Sequence, residues 1–395
     1  MRPRTLAALA VALVAVLAVS APFFRSYTRS AALIVRMAGL QGPVQDALEW
    51  EMEAVTAYGT SVPSRHGRLR ARLYVPDRVR RAIVLVAGVN ALGIDEPRLY
   101  GLAQELANVG YAVLTPELPD LQRYDITART TDMIEDAAVW LSGQSRLARD
   151  HRVGLVGVSF AGGLSIVAAG RPALRDRAAF VFSFGGHSDF PRVLRYLCTG
   201  MEPTPPASDT AATAALAEQY RRPHDYGVVI VLLGLADRLV PPEQVGPLRA
   251  AILTYLRASH YDLIDKRKAA VVFAEARQMA AALPEPARSF MQQVNDRAVD
   301  RLGPTLLPHI ARNGQEPALS PERSPAPVCP VYLLHGSEDN VVPALESLWL
   351  SKHLEGRVPV RTLLSQVITH AELDSQHGWR EIWQLVDFFA SLLRE

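Results

Sequence analysis

Cysteine is scarce in this 395-residue chain, with Cys198 and Cys329 the two present. They have neither metal-ligand spacing nor the density of a disulfide scaffold, so cysteine chemistry does not organise the fold. Two buried thiols are the expectation, with one bridge between them as the alternative. Excess charge of either sign is also missing: 42 Lys and Arg against 40 Asp and Glu leave +2, which removes the electrostatic case for a nucleic-acid partner. The local cluster Arg78, Arg80 and Arg81 precedes an apolar run and reads as a solvated turn. No repeat of fixed period is present, which excludes a solenoid or propeller. The length accommodates one large domain with an insertion, or two domains, and is ample for a buried core.

One long hydrophobic run is there. Leu6 to Phe24 is uncharged over 19 residues, with Arg2 and Arg4 before it and Arg25 after it. At about 1.5 Å per residue it would extend about 28 Å as a helix, enough for a bilayer core. Residues 1–24 are therefore expected to be a retained single-pass anchor. The competing reading is a cleaved signal segment, because Ala18-Val19-Ser20 is a small-x-small site before Ala21. Arg2 and Arg4 favour a cytoplasmic N-terminus, which would put the rest of the chain in a periplasmic or extracellular space. Arg25, Arg29 and Arg36 argue for the opposite orientation.

Residues 25–67 read as a partly helical linker, helical from Ala31 to about Tyr58. A strand and helix alternation follows. Arg68–Val75, Ala82–Ala87, Tyr111–Thr115, Val153–Val156 and Ala178–Phe184 have strand character, and Pro97–Asn108 and Thr127–Leu141 have helical spacing. Short apolar strands alternating with amphipathic helices predict an α/β fold with a mostly parallel sheet, helices on both faces, and function at the strands' C-terminal ends. Residues 186–327 break the rhythm. They are punctuated by Pro203, Pro205, Pro206, Pro241, Pro242, Pro284 and Pro286 and are expected to form an inserted, mainly helical cap. Within it, Val228–Leu235 is too short for a membrane span and reads as a buried cap helix. The sheet pattern resumes with strands Val331–Leu334 and Val358–Leu364 and helices Pro343–Leu354 and Trp379–Leu393, so the core is expected over 68–185 and 328–395.

The chemistry-bearing pattern is Gly157-Val158-Ser159-Phe160-Ala161-Gly162-Gly163, directly after an apolar strand. A strand turning abruptly into a helix forces its apex serine into a strained conformation and lifts the hydroxyl off the sheet, above a helix N-terminus. The fifth position of this G-x-S-x-G pattern holds Ala161, one methyl group more than the pattern asks. A serine hydroxyl needs a base, and the base an acid to orient it. Asp339, in Leu333-Leu334-His335-Gly336-Ser337-Glu338-Asp339-Asn340-Val341-Val342-Pro343, lies in the loop after a late strand. Glu338 is its neighbour and alternative. His370, in Gln366-Val367-Ile368-Thr369-His370, precedes the last helix, as does the competing His377.

Serine, then aspartate, then histidine is the order of the α/β-hydrolases, and the chain resembles that superfamily from about Arg68 to Leu393, interrupted by the cap. The resemblance implies a serine hydrolase in which Ser159 attacks an acyl carbonyl, His370 moves the proton and Asp339 orients the imidazolium. The expected substrate is a small ester or related acyl compound with a hydrophobic portion. It also implies oxyanion donors from the backbone of Phe160 and from the loop Ala87-Gly88-Val89-Asn90, where Val89 is the candidate and Asn90 the alternative. No metal or cofactor is called for. Asp189, in Gly185-Gly186-His187-Ser188-Asp189, is the second candidate for the acid, since some members place it after that strand. His187 and the cap segment Pro223-His224-Asp225-Tyr226 are either substrate contacts or ordinary polar turns. A peptidase or acyltransferase using the same triad, and a catalytically silent membrane-bound scaffold, are the rival readings.

Overall fold

A computed structural model describes residues 23–37, 52–202, 204, 220–366, 368–369, 372–373 and 379–395. Its centre is an eight-stranded sheet of β1 (Val55–Ser64), β2 (Gly67–Pro76), β3 (Arg81–Val86), β4 (Tyr111–Pro116), β5 (Val153–Val158), β6 (Ala178–Phe184), β7 (Val331–Gly336) and β8 (Val360–Ser365). The order is β1-β2-β4-β3-β5-β6-β7-β8. The β1–β2 and β2–β4 pairs are antiparallel and every pair from β4–β3 to β7–β8 is parallel. The parallel strands at the centre are the continuous apolar runs of the sequence, because both of their faces are covered. This is the α/β-hydrolase fold.

Two apolar layers flank the sheet. One contains α3 (Ala128–Ser142) and α4 (Phe160–Ala169) and continues into the cap; the other packs α1 (residues 23–37), α2 (Pro97–Asn108) and α12 (Trp379–Leu392) against Ile83, Leu85, Val113 and Phe182. The chain leaves β6 at Phe184 and re-enters the sheet at Val331. Between them lie α5 (Phe190–Thr199), α6 (Asp225–Leu239), α7 (Pro242–Asp262), α8 (Lys266–Ala282), α9 (Ala287–Asn295) and α10 (Val299–Leu306). The apolar segment Val228–Leu235 is the buried centre of α6. After β7 come α11 (Leu345–Leu354), β8 and α12.

The linker expected over residues 25–67 is replaced at both ends by parts of the core. Residues 55–64, expected to begin helical, pair along their whole length with β2, from Val55 opposite Pro76 to Ser64 opposite Gly67. As an edge strand β1 is mostly exposed and carries Pro63, so it shows little of the alternation that marks a half-buried strand. Helix α1 docks as a layer element. Leu33 and Ile34 are buried, Ser30 Oγ donates to the Val386 carbonyl at 2.6 Å, and the Tyr27 hydroxyl donates to Asp387.

The anchor expected over Leu6 to Phe24 lies, apart from Phe23 and Phe24, outside the described residues. Among the described residues no helix is long and apolar enough to cross a membrane. Both cysteines are free and buried; burial pushes the Cys198 thiol up to about 12 and the Cys329 thiol up to about 11. Each is then a neutral, unreactive core group at physiological pH.

Candidate active site

Strand β5 delivers Ser159. Its φ of 56° and ψ of −135° lie outside the conformations ordinary residues adopt, and the backbone on either side holds it there. Ser159 N–H donates to the Phe184 carbonyl of β6 at 2.7 Å, and Gly162 N–H donates to the Ser159 carbonyl at 2.8 Å. The turn depends on missing side chains. A Cβ on Gly157 would stand 2.3 Å from the Ala161 carbonyl oxygen, and one on Gly162 would stand 2.3 Å from Ser183 Oγ. The tight approach of α4 to β6 therefore falls at Gly162. Ala161, the departure from the sequence pattern, is fully buried in the apolar layer and fits it.

The loop after β3 passes beside the serine: a Cβ on Gly88 would be 3.4 Å from Ser159 Cβ. Asn90 fixes that loop, with Oδ1 accepting from Leu92 N–H at 3.0 Å and Gly93 N–H at 2.8 Å while Nδ2 donates to the Gly88 carbonyl at 3.0 Å. Asn90 thus folds its side chain into an Asx turn that holds the loop. Val89 accepts at its carbonyl from the Tyr226 hydroxyl of the cap, and among the described residues its N–H has no acceptor. Phe160 is the first residue of α4, where the backbone N–H has no partner within the helix. One backbone donor thus follows Ser159 in the chain and another follows Gly88 in the neighbouring loop.

Asp339 follows β7 and is 3% exposed. Its Oδ1 accepts from Val341 N–H at 2.8 Å and Val342 N–H at 3.0 Å, and its Oδ2 lies 3.4 Å from His335 Nε2. His335 is wholly buried. Its Nε2–H donates to the Val342 carbonyl at 2.9 Å, and its Nδ1 accepts from Ser347 Oγ at 2.7 Å. This histidine braces the loop that carries Asp339. A Cβ on Gly185, after β6, would be 3.6 Å from Asp339 Oδ2. Ser159, Gly185 and Asp339 therefore leave the ends of three neighbouring parallel strands in turn. Two strand spacings of about 4.8 Å separate the serine's strand from the aspartate's.

The other acid candidates are engaged by arginines. Glu338, at the cavity rim, is exposed and pairs with Arg221 at 2.6 Å. Asp189 precedes α5 without a side-chain capping bond and is held by Arg323, with Nε to Oδ1 at 2.5 Å and Nη2 to Oδ2 at 3.1 Å, so its carboxylate is committed to an ion pair. Behind it, Ser188 N–H and Asp189 N–H both donate to the buried Glu346 at 2.9 Å. His187 is buried with its Nε2–H donating to the Leu319 carbonyl at 2.7 Å, and burial holds its pKa below the usual histidine value. It is a packing residue, its ring tilted against that of Phe160 with centroids 5.5 Å apart. His370 and His377 lie outside the described residues.

A cavity of about 900 Å³ opens over this arrangement, lined by Ser159, Val89, Val158 and Phe184 from the core and by Tyr226 and Leu263 from the cap. In the cap segment His224–Tyr226, His224 and Tyr226 also line this cavity. Tyr226, whose hydroxyl burial pushes well above its ordinary pKa, stays neutral and pins the loop that bears Val89. No sequence pattern marks a single tyrosine in a helical insertion for that contact, because the partner is 137 residues away.

The chain matches no protein-family model and no curated protein sequence. Among solved structures it is similar to an esterase of Pyrobaculum calidifontis, at 15% identity and a TM-score of 0.42, covering 93% of this chain and 88% of that one. It is also similar to a dienelactone hydrolase of Anabaena variabilis, at 14% identity and a TM-score of 0.40, covering 85% and 96%. A third is the acylaminoacyl peptidase of Pyrococcus horikoshii, at 12% identity and a TM-score of 0.42, covering 89% and 43%. At these values the similarities add no weight to a functional reading, which stands on the chain's own residues.

Proposed function

We propose that the chain is a serine hydrolase acting on an ester or related acyl bond through an acyl-enzyme, with Ser159 as nucleophile, His370 as base and Asp339 as the acid that orients it. The observation that carries this reading is the strained apex at Ser159, a non-glycine residue held at positive φ beside a large cavity. Strain of this kind costs on the order of 1–3 kcal/mol and persists where the surroundings enforce it, as they do at functional sites.

The chemistry follows from the positions. The base takes the Ser159 proton as the oxygen attacks the acyl carbonyl, and the N–H groups of Phe160 and Val89 receive the developing oxyanion. The protonated base then gives its proton to the departing alcohol, and water repeats the sequence on the acyl-enzyme. Asp339 is suited to holding an imidazolium. It is buried, and two backbone donors fix its Oδ1. The chain leaves β8, beside β7, at Ser365, five residues before His370 in sequence. Residues 6–24 are proposed to hold the protein at a membrane, with the catalytic part outside the cytoplasm.

Apolar lining from Val89, Val158, Phe184 and Leu263 favours an acyl or alcohol group of hydrocarbon character. The test is turnover of p-nitrophenyl esters from acetate to dodecanoate by the full-length protein in detergent, beside the matching acyl anilides. Ester turnover that exceeds anilide turnover is expected; a folded protein that hydrolyses none of the esters contradicts the proposal.

A further inference from the structure

Helices α1 and α12 present an exposed cluster of aromatic rings at one end of their shared layer. Phe23 is 48% exposed, Phe24 63% and Trp383 53%. They form a continuous chain of ring contacts through Tyr27: ring centroids are 6.1 Å apart for Phe23–Phe24, 5.0 Å for Phe23–Tyr27 and 5.9 Å for Tyr27–Trp383. Large apolar groups rarely stay together in water without a partner. Three exposed arginines accompany them. The Arg394 guanidinium lies over the rings of Phe23 and Tyr27 at 5.3 and 5.9 Å, Arg25 follows Phe24, and Arg380 is one helical turn from Trp383. Tyrosine and tryptophan rings with one polar edge, flanked by phenylalanines and rimmed by basic groups, match the headgroup zone of a bilayer containing anionic lipid.

We infer that this patch is a lipid-docking surface, seated on the headgroup region of an anionic bilayer. The inference rests on reading Leu6 to Phe24 as a membrane segment, since the patch begins where that uncharged run ends and would stand at the same water boundary. It adds an orientation to that reading. The two helices that carry the patch also wall the cavity over Ser159, through Ile34 and Met37 on α1 and Leu385 and Phe389 on α12. Ten residues separate Phe24 from Ile34 and six separate Trp383 from Phe389, or about 15 and 9 Å along the helices. Docking at the patch thus holds the cavity wall close to the lipid surface, and substrates dissolved in the membrane are favoured over those free in water.

The experiment uses full-length protein added to vesicles of phosphatidylcholine and phosphatidylglycerol with brominated acyl chains, against unbrominated vesicles of the same composition. Subtracting the Trp383→Phe protein isolates the emission of Trp383. The expected result is selective loss of that emission in brominated vesicles. A new quenched emission is also expected when Phe24→Trp is added to the Trp383→Phe protein, which guards against a misfolded single variant. Co-flotation with the vesicles while Trp383 stays unquenched overturns the docking inference and leaves the membrane segment standing. Failure to float overturns both. Quenching that is absent because a second copy or another protein covers Trp383 also overturns it. Turnover of a soluble ester by the same variants is read separately and decides the catalytic proposal.

Discussion

Ser159→Ala is expected to fold normally and to lose acyl-ester turnover by about 10⁴- to 10⁶-fold in kcat, because the nucleophile of a triad cannot be replaced by its neighbours. The fold should survive because the backbone builds the elbow. The Ser159 side chain makes no capping bond to α4, and the two hydrogen bonds that hold the apex come from its N–H and carbonyl. Alanine tolerates the same φ about as well as serine does, so the thermal midpoint should be nearly unchanged. Steady-state kinetics with the best p-nitrophenyl ester, beside a thermal melt, check both halves. A loss smaller than about tenfold in a well-folded variant would move the nucleophile elsewhere, since tenfold corresponds to about 1.4 kcal/mol, no more than an ordinary contact.

Asp339→Asn should cost about 10⁴-fold in kcat with little change in KM, as expected when the acid that orients a catalytic imidazole is neutralised. Asparagine keeps one oxygen, which can still accept from Val341 and Val342, so the loop geometry is retained and the effect reports on charge. The same substitution at the two rival acids separates the roles. Glu338→Gln removes a surface pairing with Arg221 and should leave kcat within about twofold, given the small worth of exposed ion pairs. Asp189→Asn leaves Arg323 without its partner and is expected to lower the melting temperature more than the activity. If instead Asp189→Asn abolishes turnover and Asp339→Asn does not, the acid lies after β6 and not after β7.

Much of this arrangement was legible in the chain itself, for physical reasons that differ by element. The parallel strands β3, β5, β6 and β7 are buried on both faces and are therefore short, continuous apolar runs in the sequence. Helix α2 was bounded in advance by Pro97, which fits the first helical position, and by the Val109-Gly110 break. Ser159 was visible because the elbow demands small residues at fixed spacing, and Asp339 because a helix-preceding acidic loop follows a buried strand. What stayed hidden lacks such local demands. Strand β1 is an exposed edge that needs no alternation, and its residence in the sheet is decided by its partner β2. Helix α1 read as a tether because its docking partner, α12, lies some 350 residues further along the chain. The Tyr226 contact to Val89 and the committed ion pair of Asp189 likewise depend on residues more than 130 positions away. Those pairings exist only after folding.

Whether the strained serine is a nucleophile is decided by exposing the folded protein to a fluorophosphonate probe and analysing the labelled peptide by mass spectrometry. A single covalent adduct on Ser159 is expected, resolved by fragmentation from Ser165 and absent from Ser159→Ala. Equal labelling of the wild type and Ser159→Ala, or no labelling of protein shown to be folded, would contradict it.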